Sequence, residues 1–161
     1  MKNVGIIGNG FVGSAIASGF TLHANVKIYD ADERRSTHTF EEVVNESEFI
    51  FVSVPTPMNI GHGGEIDLSI LDQVLDQIEK VNQQSNNIVI VKSTAVPGTT
   101  LKYIERYPTL NIVFNPEFLT ERTARLDFIN TSRIVIGAEH KELSQRVKEL
   151  YRDRFTATQI I

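Results

Sequence analysis

Val4-Gly5-Ile6-Ile7-Gly8-Asn9-Gly10-Phe11-Val12-Gly13 joins a short apolar run to three glycines spaced G-x-G-x-x-G. The run is brief and nearly continuous, as expected of a strand covered on both faces, and the glycines place a tight turn at its end. Further apolar runs of this kind occupy 26–29, 49–54, 88–91, 111–114 and 133–136, each rich in β-branched residues. Segments of helical period lie between them. Leu68, Leu71, Leu75 and Ile78 fall three and four apart and draw one apolar stripe, with Asp67 placed to cap the helix, and Leu143, Val147 and Leu150 repeat the pattern later. Pro97-Gly98 precedes a helix expected over 100–106, Gly61, Gly63 and Gly64 mark a loop after the third strand, and 157–161 reads as one more strand. Strand and helix alternating in this way predict an α/β fold, a doubly wound, mostly parallel sheet of Rossmann type with right-handed crossovers.

The 161 residues, 41% of them hydrophobic, fit a single domain over 1–161, with no linker or repeat. A net charge of −4 with both signs interspersed argues against nucleic acid as a partner. The opening apolar run is too short for a signal segment or a membrane anchor, and zero cysteines exclude a disulfide framework and thiolate metal sites. Together these suggest a cytoplasmic protein. The four histidines lack ligand spacing, so no metal is expected.

Glycines at a strand-to-helix turn are often only structural. Here the second strand ends in Asp30, about 20 residues on, where a carboxylate accepts from ribose hydroxyls in a dinucleotide site. Gly8 would make the turn, Gly10 would let a pyrophosphate approach the backbone, and Gly13 would let helix and strand pack closely. The helix N-terminus, with Asn9, Phe11 and Val12 around it, would face the phosphates. Asp30 should repel a 2′-phosphate, which favours NAD over NADP, although Arg34 and Arg35 stand nearby to offset this.

Ligands of open α/β sheets bind beyond the carboxyl ends of the strands. Those ends read Val54-Pro55-Thr56-Pro57, Lys92-Ser93-Thr94 and Asn115-Pro116-Glu117-Phe118-Leu119. The hydroxyls of Thr56, Ser93 and Thr94 could bond cofactor, substrate or water, or simply close turns. Glu117, held between an apolar strand and Phe118, would be partly desolvated and suited to general acid–base work. The alternative is a helix-start carboxylate.

These motifs, with Arg133-Ile134-Val135-Ile136-Gly137, stand in the order and spacing of the UDP-glucose/GDP-mannose dehydrogenase family, which the whole chain resembles. The resemblance implies oxidation of a sugar nucleotide's C6 alcohol to a carboxylate in two NAD-dependent steps. It further implies that the glycine loop, Asp30 and Arg35 hold the adenosine half of NAD, with Val54, Pro55, Thr56 and Ser93 along the cofactor. Thr94 would position water or substrate, and Glu117 would be the acid–base residue. Glu117, Phe118 and Leu119 would meet the sugar nucleotide, and Glu121 would sit near the nicotinamide end.

Two departures qualify this. Arg122 stands where the family usually has glycine, beside the expected sugar-binding loop. The family's central helix, with its lysine and asparagine, and its second domain, with a nucleophilic cysteine, have no counterpart in the sequence. The expected protein is therefore the NAD-binding half of a UDP-glucose 6-dehydrogenase-like oxidoreductase, not turning over alone, and either excised from its catalytic half or encoded apart from it, in which case a separate chain would carry that half. Two alternatives stand beside it. One is a stand-alone NAD-binding carrier, sensor or competitor, and the other is a β-hydroxyacid dehydrogenase relative, which leaves the 115–119 motif unexplained. The absence of a Tyr-x-x-x-Lys pair excludes short-chain dehydrogenases.

Overall fold

The computed structural model describes residues 1–61, 63–93, 98–156 and 158–161. The chain runs β1 (Lys2–Ile7), α1 (Phe11–Phe20), β2 (Ala24–Tyr29), α2 (Phe40–Asn45), β3 (Phe49–Val52), β4 (Met58–Asn59), β5 (Glu65–Ile66) and α3 (Ser69–Val81). It continues through β6 (Ile88–Val91), α4 (Thr99–Arg106), β7 (Asn111–Phe114), α5 (Ala124–Ile129), β8 (Arg133–Ile134), β9 (Gly137–Ala138), α6 (Lys141–Arg152) and β10 (Gln159–Ile160).

Six strands form one sheet in the order β2-β1-β3-β6-β7-β9. Five are mutually parallel, and only β9 runs antiparallel, on β7. From β1 the chain steps to β2 on one side and returns to β3 on the other, so the strand order reverses at β1. That reversal is where a doubly wound sheet opens a crevice for ligand. All four residues of β3 and of β6 are buried, because helices cover both faces of the sheet. One apolar layer gathers Ile16, Phe20, Phe128, Val147 and Tyr151 against the sheet, and the other gathers Val43, Leu71, Leu75, Ile78 and Tyr107. In the first, Gly19 lets α1 approach α5, since a Cβ there would lie 2.3 Å from the Phe128 ring.

The expected elements form with three differences. The run 133–136 is divided, because Ile161 accepts from the Ile136 amide and donates to the Ile134 carbonyl. Arg133–Ile134 thus pairs with β10 as a separate ribbon, and the main sheet is completed by Gly137–Ala138. The expected loop after the third strand contains the antiparallel pair β4 and β5, too short and too exposed to leave an apolar signature. Asp67 stabilises the start of α3 from just outside it, accepting from the Ser69 amide at 2.9 Å, while Leu68 occupies the cap position.

Helices α3 and α4 are tied by phenols. Tyr103 Oη donates to Asp72 Oδ1 at 2.7 Å, and Tyr107 Oη donates to Asp76. Burial, reinforced by these carboxylates, pushes both phenols well above the ordinary tyrosine range, and burial does the same to Tyr151. Below about pH 10 these phenols are protonated in both folded and unfolded chains; above it the unfolded chain loses protons first, so stability falls. Titration followed at 295 nm and by circular dichroism should show these three tyrosines ionising together with unfolding, above about pH 10. Independent ionisation before any loss of structure would contradict the buried arrangement.

Candidate functional site

The glycine loop takes its shape from contacts no side chain could share. Gly8 has φ +94°, and a Cβ there would stand 2.4 Å from the Ser53 carbonyl oxygen. A Cβ at Gly13 would lie 1.9 Å from the carbonyl oxygen of Gly8, so α1 can leave the turn only without one. Gly10 is different. Its φ is −77° and nothing lies within 4 Å of a Cβ built there, so the protein itself does not demand glycine. The open space before the first turn of α1 is what a pyrophosphate needs to reach backbone N–H groups.

Asp30 braces the loop. Its Oδ2 accepts from the Asn9 amide at 2.7 Å and its Oδ1 from the Asp32 amide at 2.8 Å, and each oxygen keeps acceptor capacity for a hydroxyl. Asn9 Nδ2 donates to the Arg35 carbonyl at 2.9 Å, linking the loop to the turn after β2. Arg34 is occupied elsewhere, since its Nε and Nη2 donate to Asp32 at 3.0 and 2.9 Å. That fork holds the Asp32 carboxyl below its usual range and leaves Arg35 as the arginine lining the cleft.

A cleft of about 750 Å³ opens over the carboxyl ends of β1, β3 and β6. Gly8, Gly10, Phe11, Val12, Asp30, Arg35, Val54, Pro55, Thr56, Ser93, Glu117 and Leu119 line it, which gathers most of the residues expected from sequence. Asn9 and Gly13 act from behind, through the contacts above. Ser93 Oγ donates to the Val54 carbonyl at 2.8 Å and so joins two strand ends. Ser53 also lines the cleft, and its Oγ is buried with no hydrogen-bond partner among the described residues. Sequence reasoning passed over it, although it directly follows the third strand. A buried orphan hydroxyl, an open Gly10 and a carboxylate at the end of β2 fit a dinucleotide. Thr94 lies outside the described residues.

A second cleft, of about 610 Å³, adjoins the first. Glu117, Phe118, Leu119, Thr120, Asp127 and Arg133 are among its lining, and Glu117 and Leu119 belong to both clefts. Glu121 and Arg122 lie in a short 3-10 turn over 121–123 and line neither.

The surroundings of Glu117 differ from expectation. Phe118 is 62% exposed and sits 5.5 Å from the Arg133 guanidinium, so it does not cover the carboxylate. What faces Glu117 is a lysine. Lys92 Nζ stands 2.7 Å from Glu117 Oε2, with side-chain exposures of 2% and 13%. The same ammonium donates to Asn115 Oδ1 at 2.9 Å, Tyr151 Oη donates to that oxygen as well, and Asn115 Nδ2 donates to the Val135 carbonyl at 2.6 Å. Glu117 Oε1 accepts from the Phe118 amide at 3.1 Å. Burial pulls the Lys92 ammonium below the usual lysine range, and the Glu117 carboxylate works against that fall. Lys92 was given no role from sequence, where it stands only as the first residue of the Lys92-Ser93-Thr94 strand end.

Residues 22–155 match the family model described as "UDP-glucose/GDP-mannose dehydrogenase family, NAD binding domain". The UDP-glucose 6-dehydrogenase of Rickettsia felis is 29% identical, over 92% of this chain and 40% of its own length. UDP-glucose 6-dehydrogenase 1 of Arabidopsis thaliana is 37% identical over 70% of this chain and 25% of its own. Among solved structures, a ternary complex of GDP-mannose dehydrogenase from Pseudomonas aeruginosa superimposes with a TM-score of 0.82 at 23% identity, covering 98% of this chain and 45% of that one. The chain thus spans less than half the length of these relatives. No helix among the described residues is long and apolar enough to cross a membrane. With the glycine turn, the Asp30 brace and the cleft at the strand reversal in place, the chain belongs to the UDP-glucose/GDP-mannose dehydrogenase family, as an NAD-binding domain of it.

Proposed function

We propose that residues 1–161 are the cofactor-binding domain of an oxidoreductase that converts the C6 alcohol of a nucleotide sugar, UDP-glucose first among them, to a carboxylate. The observation that carries this is the position of Glu117, a residue that lines both the cofactor cleft and its neighbour. A group at that junction can exchange a proton with a substrate in the second cleft while the cofactor lies in the first. Bound NAD supplies the hydride acceptor. The glycine loop and the N-terminus of α1 bind its pyrophosphate, Asp30 and Arg35 orient its adenosine half, and Val54, Pro55, Thr56 and Ser93 border the rest. Phe118 and Leu119 present backbone and apolar surface to the sugar nucleotide. Thr94 is assigned to positioning water or substrate, and Glu121 to the nicotinamide side, from the family resemblance alone.

Overall, one alcohol, one water and two NAD⁺ give one carboxylate, two NADH and three protons. The second oxidation is easiest from a covalent thiol adduct of the aldehyde, and the sequence holds no cysteine. The chain is therefore expected to bind NAD but not to turn over alone, and to need a cysteine-bearing domain, in the same or a separate polypeptide, to complete the site.

Calorimetry with NAD and NADP, paired with absorbance at 340 nm in the presence of UDP-glucose, tests both halves. The expected result is NAD binding tighter than about 1 mM, or roughly −4.1 kcal/mol, weaker NADP binding, and no NADH from the chain alone. Sustained formation of the carboxylate by the pure chain, read as two NADH per nucleotide sugar consumed, would overturn the argument from the missing thiol. A chain that binds neither cofactor would overturn the assignment of the cleft.

A further inference from the structure

Lys92 and Glu117 form an almost solvent-free pair at one end of the cofactor cleft, while Asp30 stands at the other end, after β2. The sheet order separates them. Asp30 follows the edge strand β2, whereas Lys92 follows β6 and Glu117 lies beyond β7, on the far side of β1 and β3. A dinucleotide with its ribose on Asp30 and its pyrophosphate on the glycine loop must lay its second nucleotide toward this pair. The oxidised nicotinamide ring carries one positive charge and the reduced ring carries none, so charge at this end of the cleft discriminates between the two forms.

We propose that Lys92 and Glu117 act as one charge-balanced unit that sets the cleft's preference between oxidised and reduced nicotinamide. As an ammonium 2.7 Å from a carboxylate, the pair presents no net charge to the ring. Among the described residues, those bonded to it add none: Asn115 and the phenol of Tyr151 are neutral hydrogen-bonding partners. Around the mouth of the second cleft Asp127 and Arg133 are of opposite sign, and Asp127 is held by the Thr120 amide and the Thr123 hydroxyl. Each member of the pair, left without the other, biases the cleft in its own direction. An unpaired carboxylate favours NAD⁺ and holds it, and an unpaired ammonium disfavours NAD⁺ relative to NADH. Balance serves an oxidation that consumes two NAD⁺ in succession, because the same cleft must release NADH after the first hydride and take up NAD⁺ for the second. This inference rests on the proposed function for the identity of the cofactor, and beyond that on the buried pair alone.

The test is calorimetric titration of the wild-type chain and of Lys92→Met, Glu117→Gln and the double variant with NAD⁺ and with NADH at neutral pH. Glu117→Gln should lower the ratio of NAD⁺ to NADH affinity on the order of tenfold and Lys92→Met should raise it by a similar factor, the scale of one unit charge several ångströms away at the effective dielectric of a protein. The double variant should return the ratio to near the wild-type value. A purely structural pair gives a different pattern, in which both cofactors weaken together and the ratio stays fixed in every variant. That result overturns the inference while leaving the cofactor assignment intact, whereas a wild-type chain that binds neither cofactor overturns the assignment itself. Should Lys92→Met fail to fold, Glu117→Gln and the double variant decide the matter, since a fall in the ratio in one and its recovery in the other require Lys92 to be the opposing charge.

Discussion

Replacing Asp30 with alanine should raise the dissociation constant for NAD by about hundredfold. The size follows from what the carboxylate holds. One oxygen accepts from the Asn9 amide at 2.7 Å and the other from the Asp32 amide at 2.8 Å, so the side chain fixes the loop that meets the pyrophosphate as well as any ribose it touches. A hydrogen bond to a charged group contributes roughly 1.5–3 kcal/mol, and its loss beside a partly buried N–H adds the cost of leaving that donor unpaired. Every ~1.4 kcal/mol is tenfold in affinity, so one ribose bond and a loosened loop together reach about hundredfold. The penalty for NADP should shrink in the same variant, because the carboxylate that repels a 2′-phosphate is gone. Amide resonances of Asn9 and Asp32 separate the two contributions: both should move in the unliganded variant. NAD affinity within a few-fold of wild type would mean that the cofactor lies elsewhere.

How far the sequence discloses this arrangement depends on how local each signal is. The five parallel strands are legible because buried parallel strands leave short, continuous apolar runs, and the glycine turn is legible because its spacing answers to backbone geometry alone. The division of 133–136 is not legible, since it depends on Ile161 pairing with Ile134 and Ile136 from the far end of the chain. The β4 and β5 pair is hidden for the opposite reason: two residues in each strand, of which only Ile66 is half-buried and the rest exposed, carry no pattern at all. In the site, Glu117 stands out as a carboxylate after an apolar strand, yet its partner does not. Lys92 follows Ile88–Val91 as Asn115 follows Asn111–Phe114, on neighbouring strands whose amides continue the ladder past their ends, Lys92 to the Val52 carbonyl and Asn115 to that of Val91. Equivalent positions on adjacent parallel strands share a face, so the register Val91 to Phe114 was the signal that would have brought Lys92 beside the 115–117 segment.

Lys92→Met should destabilise the domain by about 3 kcal/mol, the lower end of the range for removing one partner from a buried ion pair. The loss falls mainly on Glu117. Asn115 Oδ1 keeps its hydrogen bond from Tyr151, so the amide remains satisfied, while the carboxylate loses the ammonium 2.7 Å away and, among the described residues, retains only the Phe118 amide. The 13% exposure of the Glu117 side chain lets water recover part of the cost, which is why the lower end of the range applies. Methionine fills most of the volume vacated by the lysine stem, so little of the effect is a cavity. Adding Glu117→Gln to this variant should recover most of the loss, because a neutral amide is far cheaper to bury than an unpaired carboxylate. Urea unfolding of the four proteins gives the coupling as a double-mutant cycle. A recovery in the double variant identifies the penalty as the unpaired charge. Equal and additive losses would instead show that Lys92 and Glu117 stabilise the fold separately, and the charge-balanced pair would have to be abandoned along with the cofactor preference built on it.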